Sequence, residues 1–219
     1  MSDIQDTITL ITKKTTEIYG KGLGLDLTAL TRETRRINKK VCKELGDIEL
    51  PTQTEVQRKL NNQLKTAPMS SRLHDYYNVF LFPEKTINKL YRNVCAFFKE
   101  ICPYDDVYYV HAWLNYLEKG DTIPWHSHWG KLSGMPKTYV SSFYINAEPS
   151  TTIYKEAGEV TIEAPNKNNN LTLYEDIGDE HMVPPWHGQG TRISISMDIV
   201  PLSYIQVSQS PLNTWIPIV

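Results

Sequence analysis

The chain carries almost no excess charge. Lys and Arg number 23 and Asp and Glu number 25, a formal net charge of −2 over 219 residues. No global basic field exists to hold a polyanion, which disfavours a general nucleic-acid-binding role. Cysteine is scarce too: Cys42, Cys95 and Cys102 are odd in number and lack paired spacing. They make neither a disulfide framework nor a Cys-x-x-Cys zinc pattern, and read as reduced thiols of an intracellular protein. Long apolar runs are missing. Nothing approaches the ~20 apolar residues of a membrane helix. The first ten residues, MSDIQDTITL, lack the basic start and apolar stretch of a signal peptide. No internal repeat is visible. A soluble, cytoplasmic protein is expected.

What remains is an ordinary globular composition, 40% hydrophobic and 22% charged, with 13 Tyr and 5 Trp. Aromatics at this level suit pleated surfaces, and the length suits one folding unit. The first part reads mainly as helix. Asp3 is placed to cap a helix through about Tyr19, with Ile4, Ile8, Ile11 and Ile18 near helical spacing. Leu27, Leu30, Ile37, Val41 and Leu45 form one stripe, which predicts a helix over 27–45 stopped by Gly46. Its basic residues, Arg32, Arg35, Arg36, Lys39, Lys40 and Lys43, read as a solvated face balanced by Glu33 and Glu44. A short helix over 52–64 and a stronger one over 84–101 follow, the latter ended by Pro103.

After Pro103 the pattern changes to strands. Runs at 107–117, 138–145, 159–163, 171–174 and 191–200 are rich in β-branched and aromatic residues, with turn-rich pieces between them. In the last run Ile193, Ile195, Met197 and Ile199 alternate with Arg192, Ser194, Ser196 and Asp198. Short strands at these intervals suggest a sandwich or barrel. The expected architecture is α+β but mainly β: a helical segment over 1–103 packed on a jelly-roll body over 104–219, together one folding unit.

Of the six histidines, His126 and His128 stand out. On a strand, residues i and i+2 share a face about 6.5–7 Å apart, so two imidazoles at that spacing can converge on one ion. Gly120 allows a turn ahead of them, and His181 follows His128 by 53 residues, a separation that lets a late strand return beside an early one. Arg192 and Ser194 share a strand face by the same rule. A guanidinium beside a hydroxyl is a good receptor for a carboxylate, and an inward Arg needs an anion. A structural salt bridge is the bland alternative for Arg192. His187 reads as a loop or rim residue, and His74 and His111 as structural or exposed. Trp125 and Trp129 fall by alternation on the face opposite the His pair and read as core packing.

These residues resemble the iron- and 2-oxoglutarate-dependent oxygenase superfamily. WLNYLEKGDTIPWHSHWG (113–130) is similar to its first metal segment, SSFYIN (141–146) to the following strand, and DIGDEHMVPPWHGQGTRISIS (176–196) to its second segment. The resemblance covers about residues 107–200. It is greatest to the small oxygenases of marine phages and bacteria, and looser to the prolyl-hydroxylase group. A phage-encoded chain would work in the host cytoplasm. The resemblance implies a double-stranded β-helix holding Fe(II) through His126, His128 and His181. It implies that Arg192 and Ser194 clamp the far carboxylate of 2-oxoglutarate, with Asn115 where some members bond that cosubstrate. O2 and an unidentified small-molecule or side-chain substrate would be the other partners, with hydroxylation of a C–H bond and release of succinate and CO2.

Two departures stand out. His128 falls where the superfamily has its carboxylate, the usual iron set being two His and one carboxylate; Asp121, Asp179 or Glu180 could supply that carboxylate instead. Leu117 stands where some relatives have a Tyr. Two rival readings keep a place. A cupin-type metalloprotein fits Gly-x5-His-x-His, but the expected later Glu is replaced by Leu132 and Ser133. A non-catalytic β-sandwich binding or virion-associated module would leave the histidines structural.

Overall fold

A strand whose two faces differ in polarity has to lie between two layers. Strand β10 (Arg192–Pro201) is such a strand. Ile193, Ile195, Met197 and Ile199 are fully buried on one side, while Arg192, Ser194, Ser196 and Asp198 face the other. The protein is described from a computed structural model covering residues 9–10, 17–45, 67–102, 106–129, 136–156, 159–208 and 214–219.

In it β10 is central to a seven-stranded antiparallel sheet. The order is β1 (Thr9–Leu10), β2 (Tyr19–Gly22), β8 (Asn170–Glu175), β5 (Tyr139–Asn146), β10, β3 (Tyr108–Leu117) and β11 (Ile216–Pro217). A second antiparallel sheet runs β4 (Ile123–His126), β9 (His181–Val183), β6 (Thr151–Glu156) and β7 (Glu159–Pro165). Ser196 sits opposite Trp113 of β3 and Ser142 of β5, so one register sets the inward row of all three strands.

The outer face of the large sheet is covered by α1 (Leu27–Leu45) and α3 (Lys85–Ile101), with the short α2 (Met69–Arg72) beside them. Leu30, Ile37 and Val41 of α1 meet Ile87, Leu90, Val94, Phe97 and Phe98 of α3. Leu114, Phe143, Ile195 and Met197 complete this core from the sheet. Each such side chain is worth about 1.5–3 kcal/mol on burial, so α1 and α3 are integral to the body. No helix among the described residues is long and apolar enough to cross a membrane.

Glu33 departs from the sequence expectation. It is buried instead of solvated. Its carboxylate accepts from the Thr86 backbone N–H (3.0 Å), the Thr86 hydroxyl (2.9 Å) and the Ile87 N–H (3.0 Å). These are free donors at the start of α3, where Glu84 gives no side-chain cap, and a helix N-terminus favours negative charge. The rest of the basic face is exposed as expected, with Arg36 Nε 3.0 Å from Glu84. Glu33→Ala is expected to cost about 1–3 kcal/mol by leaving these donors unpaired. Urea denaturation should show the midpoint falling with m unchanged, and less of a fall for Glu33→Gln.

The helix expected from Asp3 through Tyr19 is corrected where the residues are described. Thr9 and Leu10 pair as a strand with Gly20 and Tyr19, and β2 in turn pairs with β8. The β-branched run around Thr9 favours extended backbone, and β2 covers an edge of β8 that would otherwise be unpaired. Ile18 is buried between the sheets with Tyr154 and Tyr174. The rest of that helix and the one over 52–64 lie outside the described residues. Strand β6, not anticipated from the sequence, bridges β7 and β9.

Candidate metal centre

Strands β4 and β9 pair so that His126 lies directly opposite His181, and Tyr154 of β6 flanks His181 on its other side. Strand β4 ends at His126, so His128 does not sit on the same strand face as the i, i+2 spacing required. The chain just past the strand carries it inward instead. The outcome is the same convergence. Ring centroids are 4.2 Å apart for His126–His181, 5.2 Å for His126–His128 and 5.0 Å for His128–His181. One nitrogen from each ring lies within 4.8 Å of the others. Nitrogens bound to one ion at ~2.1 Å stand at most ~4.2 Å apart, so small ring rotations close the set. Among the described residues no carboxylate joins this cluster. Asp121 accepts from the Glu118 N–H and Glu180 pairs with Lys155.

The donor chemistry fits a cation. Burial, with the neighbouring His128 adding to it, pushes His126 down to about 3. Burial and the other two rings hold His181 well below the ordinary range. Both are neutral imidazoles at neutral pH. His126 Nδ1 is 2.9 Å from the Pro124 carbonyl, which accepts a hydrogen bond from Nδ1–H and leaves Nε2 with the free lone pair. For His128, burial is the largest single effect and opposes the proton, but the charge and hydrogen-bonding of Asp198, with the charge of Asp176, together exceed it and the net shift is upward. Its Nδ1 is 2.7 Å from Asp198 Oδ1, while its buried Nε2 has no hydrogen-bond partner. Burial alone would raise Asp198, yet His128 and the Trp129 N–H (3.0 Å) hold it low. Asp198 is the neighbour of the His cluster that sequence reasoning missed. The signal was its place as the fourth inward residue of the alternating β10.

Arg192, Ser194 and Asn115 line the same cavity as the three histidines. Arg192 is 1% exposed. Its Nε donates to Ser150 Oγ (2.9 Å) and its Nη1 to Ser194 Oγ (3.0 Å), with the Tyr144 ring 5.9 Å from Cζ. Arg192 and Ser194 therefore share a face as expected, and among the described residues no carboxylate pairs with this guanidinium. Burial lowers it to about 10. Asn115 is tied into the wall: Oδ1 accepts from Ser71 Oγ and Nδ2 donates to Ser196 Oγ, both at 2.7 Å. Leu117 packs with Ile123, Val183 and Trp186; the phenol near Arg192 comes from Tyr144 of β5 instead.

The other histidines and tryptophans stand outside the His cluster. His187 is exposed. His111 Nε2 lies 2.9 Å from the Tyr77 carbonyl, and His74 is buried in the cavity wall against Trp113. Trp129 packs on Tyr204 and Trp215, whereas Trp125 is half-buried with Lys155 Nζ 4.1 Å from its ring. The loop ahead of Arg192 is held by Trp186. Its Nε1 donates to the Gly190 carbonyl (2.7 Å), and a Cβ at Gly188 would stand 2.1 Å from its ring.

Two antiparallel sheets enclosing a His cluster and an inward Arg make a jelly-roll double-stranded β-helix. The chain is similar in structure to solved oxygenases of that fold. A Pseudomonas putida prolyl-4-hydroxylase matches with a TM-score of 0.51 and 9% identity, covering 85% of this chain and 94% of that one. SnoK, a non-heme alpha ketoglutarate dependent carbocyclase from nogalamycin biosynthesis, matches at 0.52 and 10%, covering 84% and 79%. The epimerase SnoN from the same biosynthesis matches at 0.51 and 9%, covering 84% and 77%. No family model matches the sequence, and no curated protein matches it significantly.

Proposed function

We propose that this protein is an Fe(II)- and 2-oxoglutarate-dependent oxygenase. In this reading His126, His128 and His181 would hold the metal in the cavity they line. Arg192 and Ser194 receive the distal carboxylate of 2-oxoglutarate. The observation that carries the reading is Arg192: a fully buried guanidinium with two hydroxyl partners and, among the described residues, no acid, in the same cavity as three converging imidazoles. A buried cation without a counter-ion is costly; a dicarboxylate would give the guanidinium its counter-ion, and its other carboxylate would offset part of the charge of a metal held by the histidines.

The chain's own part is orientation and exclusion of water. Two neutral imidazoles are fixed across a strand pair, the third is fixed by Asp198, and the anion end is set by β10. Tyr154 and Tyr174 close the wall beside His181 and stay protonated, because burial holds both well above the ordinary phenol range. The bound metal supplies oxygen activation coupled to oxidative decarboxylation of 2-oxoglutarate, which yields succinate and CO2 and oxidises a C–H bond of the substrate.

Anaerobic titration of Fe(II)-loaded protein with 2-oxoglutarate tests this reading. A weak visible charge-transfer band should appear and saturate at one equivalent. Iron binding without any band would favour a cupin-type centre that uses no cosubstrate. Failure to bind iron would favour a non-catalytic module.

A further inference from the structure

We propose that Asp198 is a positioning residue that makes His128 a metal ligand and supplies the negative charge that three neutral imidazoles lack. This rests on the reading of the histidines as a metal centre. His126 and His181 are oriented by the β4–β9 pairing, and His126 also by its own backbone contact to Pro124. His128 has no such support, because it lies beyond the end of β4. What holds its ring is a carboxylate from the other sheet, 2.7 Å from Nδ1, with both side chains almost wholly buried. The approach is off the straight N–H···O line, so charge does more of the holding than a linear hydrogen bond. The second carboxylate oxygen is occupied by the Trp129 N–H, so Asp198 itself cannot rotate freely. Neither ring nitrogen makes a well-aligned hydrogen bond, but Nδ1 is held against the carboxylate at 2.7 Å, so Nε2 is the nitrogen left for the ion. A carboxylate behind a ligating imidazole fixes the tautomer and raises ligand basicity. Here its negative charge acts on the ion through the His128 ring, which it polarises toward the metal.

Asp198→Asn keeps the shape and one acceptor but removes the charge. The apparent Kd for Co(II) and Fe(II), measured anaerobically by competition with a chromogenic chelator, should rise about 10- to 100-fold. The visible spectrum of the Co(II) form should change as His128 is lost from the coordination sphere. In a His128→Ala background, Asp198→Asn should change the Kd less than about twofold, because Asp198 acts through His128. Trp129→Phe, which frees the second oxygen, should weaken metal binding in the same direction and serves if Asp198→Asn does not fold. Unchanged affinity in Asp198→Asn and Trp129→Phe, losses additive with His128→Ala, or a lower melting temperature with the metal-induced shift and Co(II) spectrum intact would overturn the proposal. Metal binding that depends on Asp198 but shows no response to 2-oxoglutarate would support it while overturning the oxygenase reading. A wild-type protein that binds no metal would overturn both.

Discussion

His181→Ala should abolish stoichiometric Fe(II) binding while the β-helix stays folded. His181 is the hinge of the cluster: it faces His126 across the β4–β9 pair with ring centroids 4.2 Å apart, and it stacks on His128 at 5.0 Å. No fourth His, Cys, Asp or Glu among the described residues stands in the cluster to replace it. Structural zinc sites with four ligands bind with about 10–16 kcal/mol, so one ligand is worth roughly 3 kcal/mol, or more than 100-fold in affinity. The neutral side chain makes little contribution to the metal-free fold beyond packing on Tyr154 and Tyr174. Anaerobic equilibrium dialysis with metal analysis should therefore give near one iron per wild-type chain and almost none for the variant. The melting temperature of the metal-free protein should move by only a few degrees. An alanine variant that still bound one tightly held iron would remove His181 from the centre.

Arg192→Met should move cosubstrate affinity and metal-free stability in opposite directions. A guanidinium that is 1% exposed and, among the described residues, bonded to Ser150 and Ser194 but to no carboxylate is desolvated without a counter-ion there. Replacing such a group with an apolar side chain of similar length is neutral or stabilising. The same change removes the receptor for the distal carboxylate, and losing one partner of a buried charge pair costs about 2–5 kcal/mol, a loss of tens to thousands of fold in 2-oxoglutarate affinity. Thermal melts with and without Mn(II) and 2-oxoglutarate read both effects. The variant should melt no lower than wild type alone and lose the shift that 2-oxoglutarate adds. Arg192→Lys should fall between the two, since it restores charge but not the planar fork. A variant that is destabilised alone and keeps the 2-oxoglutarate shift would make Arg192 a structural residue.

Several parts of this protein were legible from local pattern. The stripes Leu30-Ile37-Val41 and Leu90-Val94-Phe97 marked α1 and α3, because a face buried along its whole length must repeat with the helix. The alternation from Arg192 to Ile199 marked β10 as a strand between a core and a cavity. Strand β6 was missed because TTIYKE is too short and too mixed to show a period. The first strand pair was missed because isoleucines at Ile4, Ile8, Ile11 and Ile18 match helical spacing by count, while the pairing partner that decides for a strand, β8, lies about 150 residues away.

The sequence by itself determined which residue types were at hand for chemistry: three histidines in the order of a β-helix metal site, and an Arg-x-Ser on an alternating strand. Tertiary structure alone decided which groups meet. His128 reaches the cluster from beyond its strand, Asp198 stands behind it from the opposite sheet, and Asn115 is spent on Ser71 and Ser196 within the wall. Glu33 leaves an apparently solvated face to cap α3. The physical reason is common to all four. Periodicity reports which face a residue occupies, but a buried charge or amide takes its partner from a distant segment, and only the packing of the two sheets and their helices selects that partner.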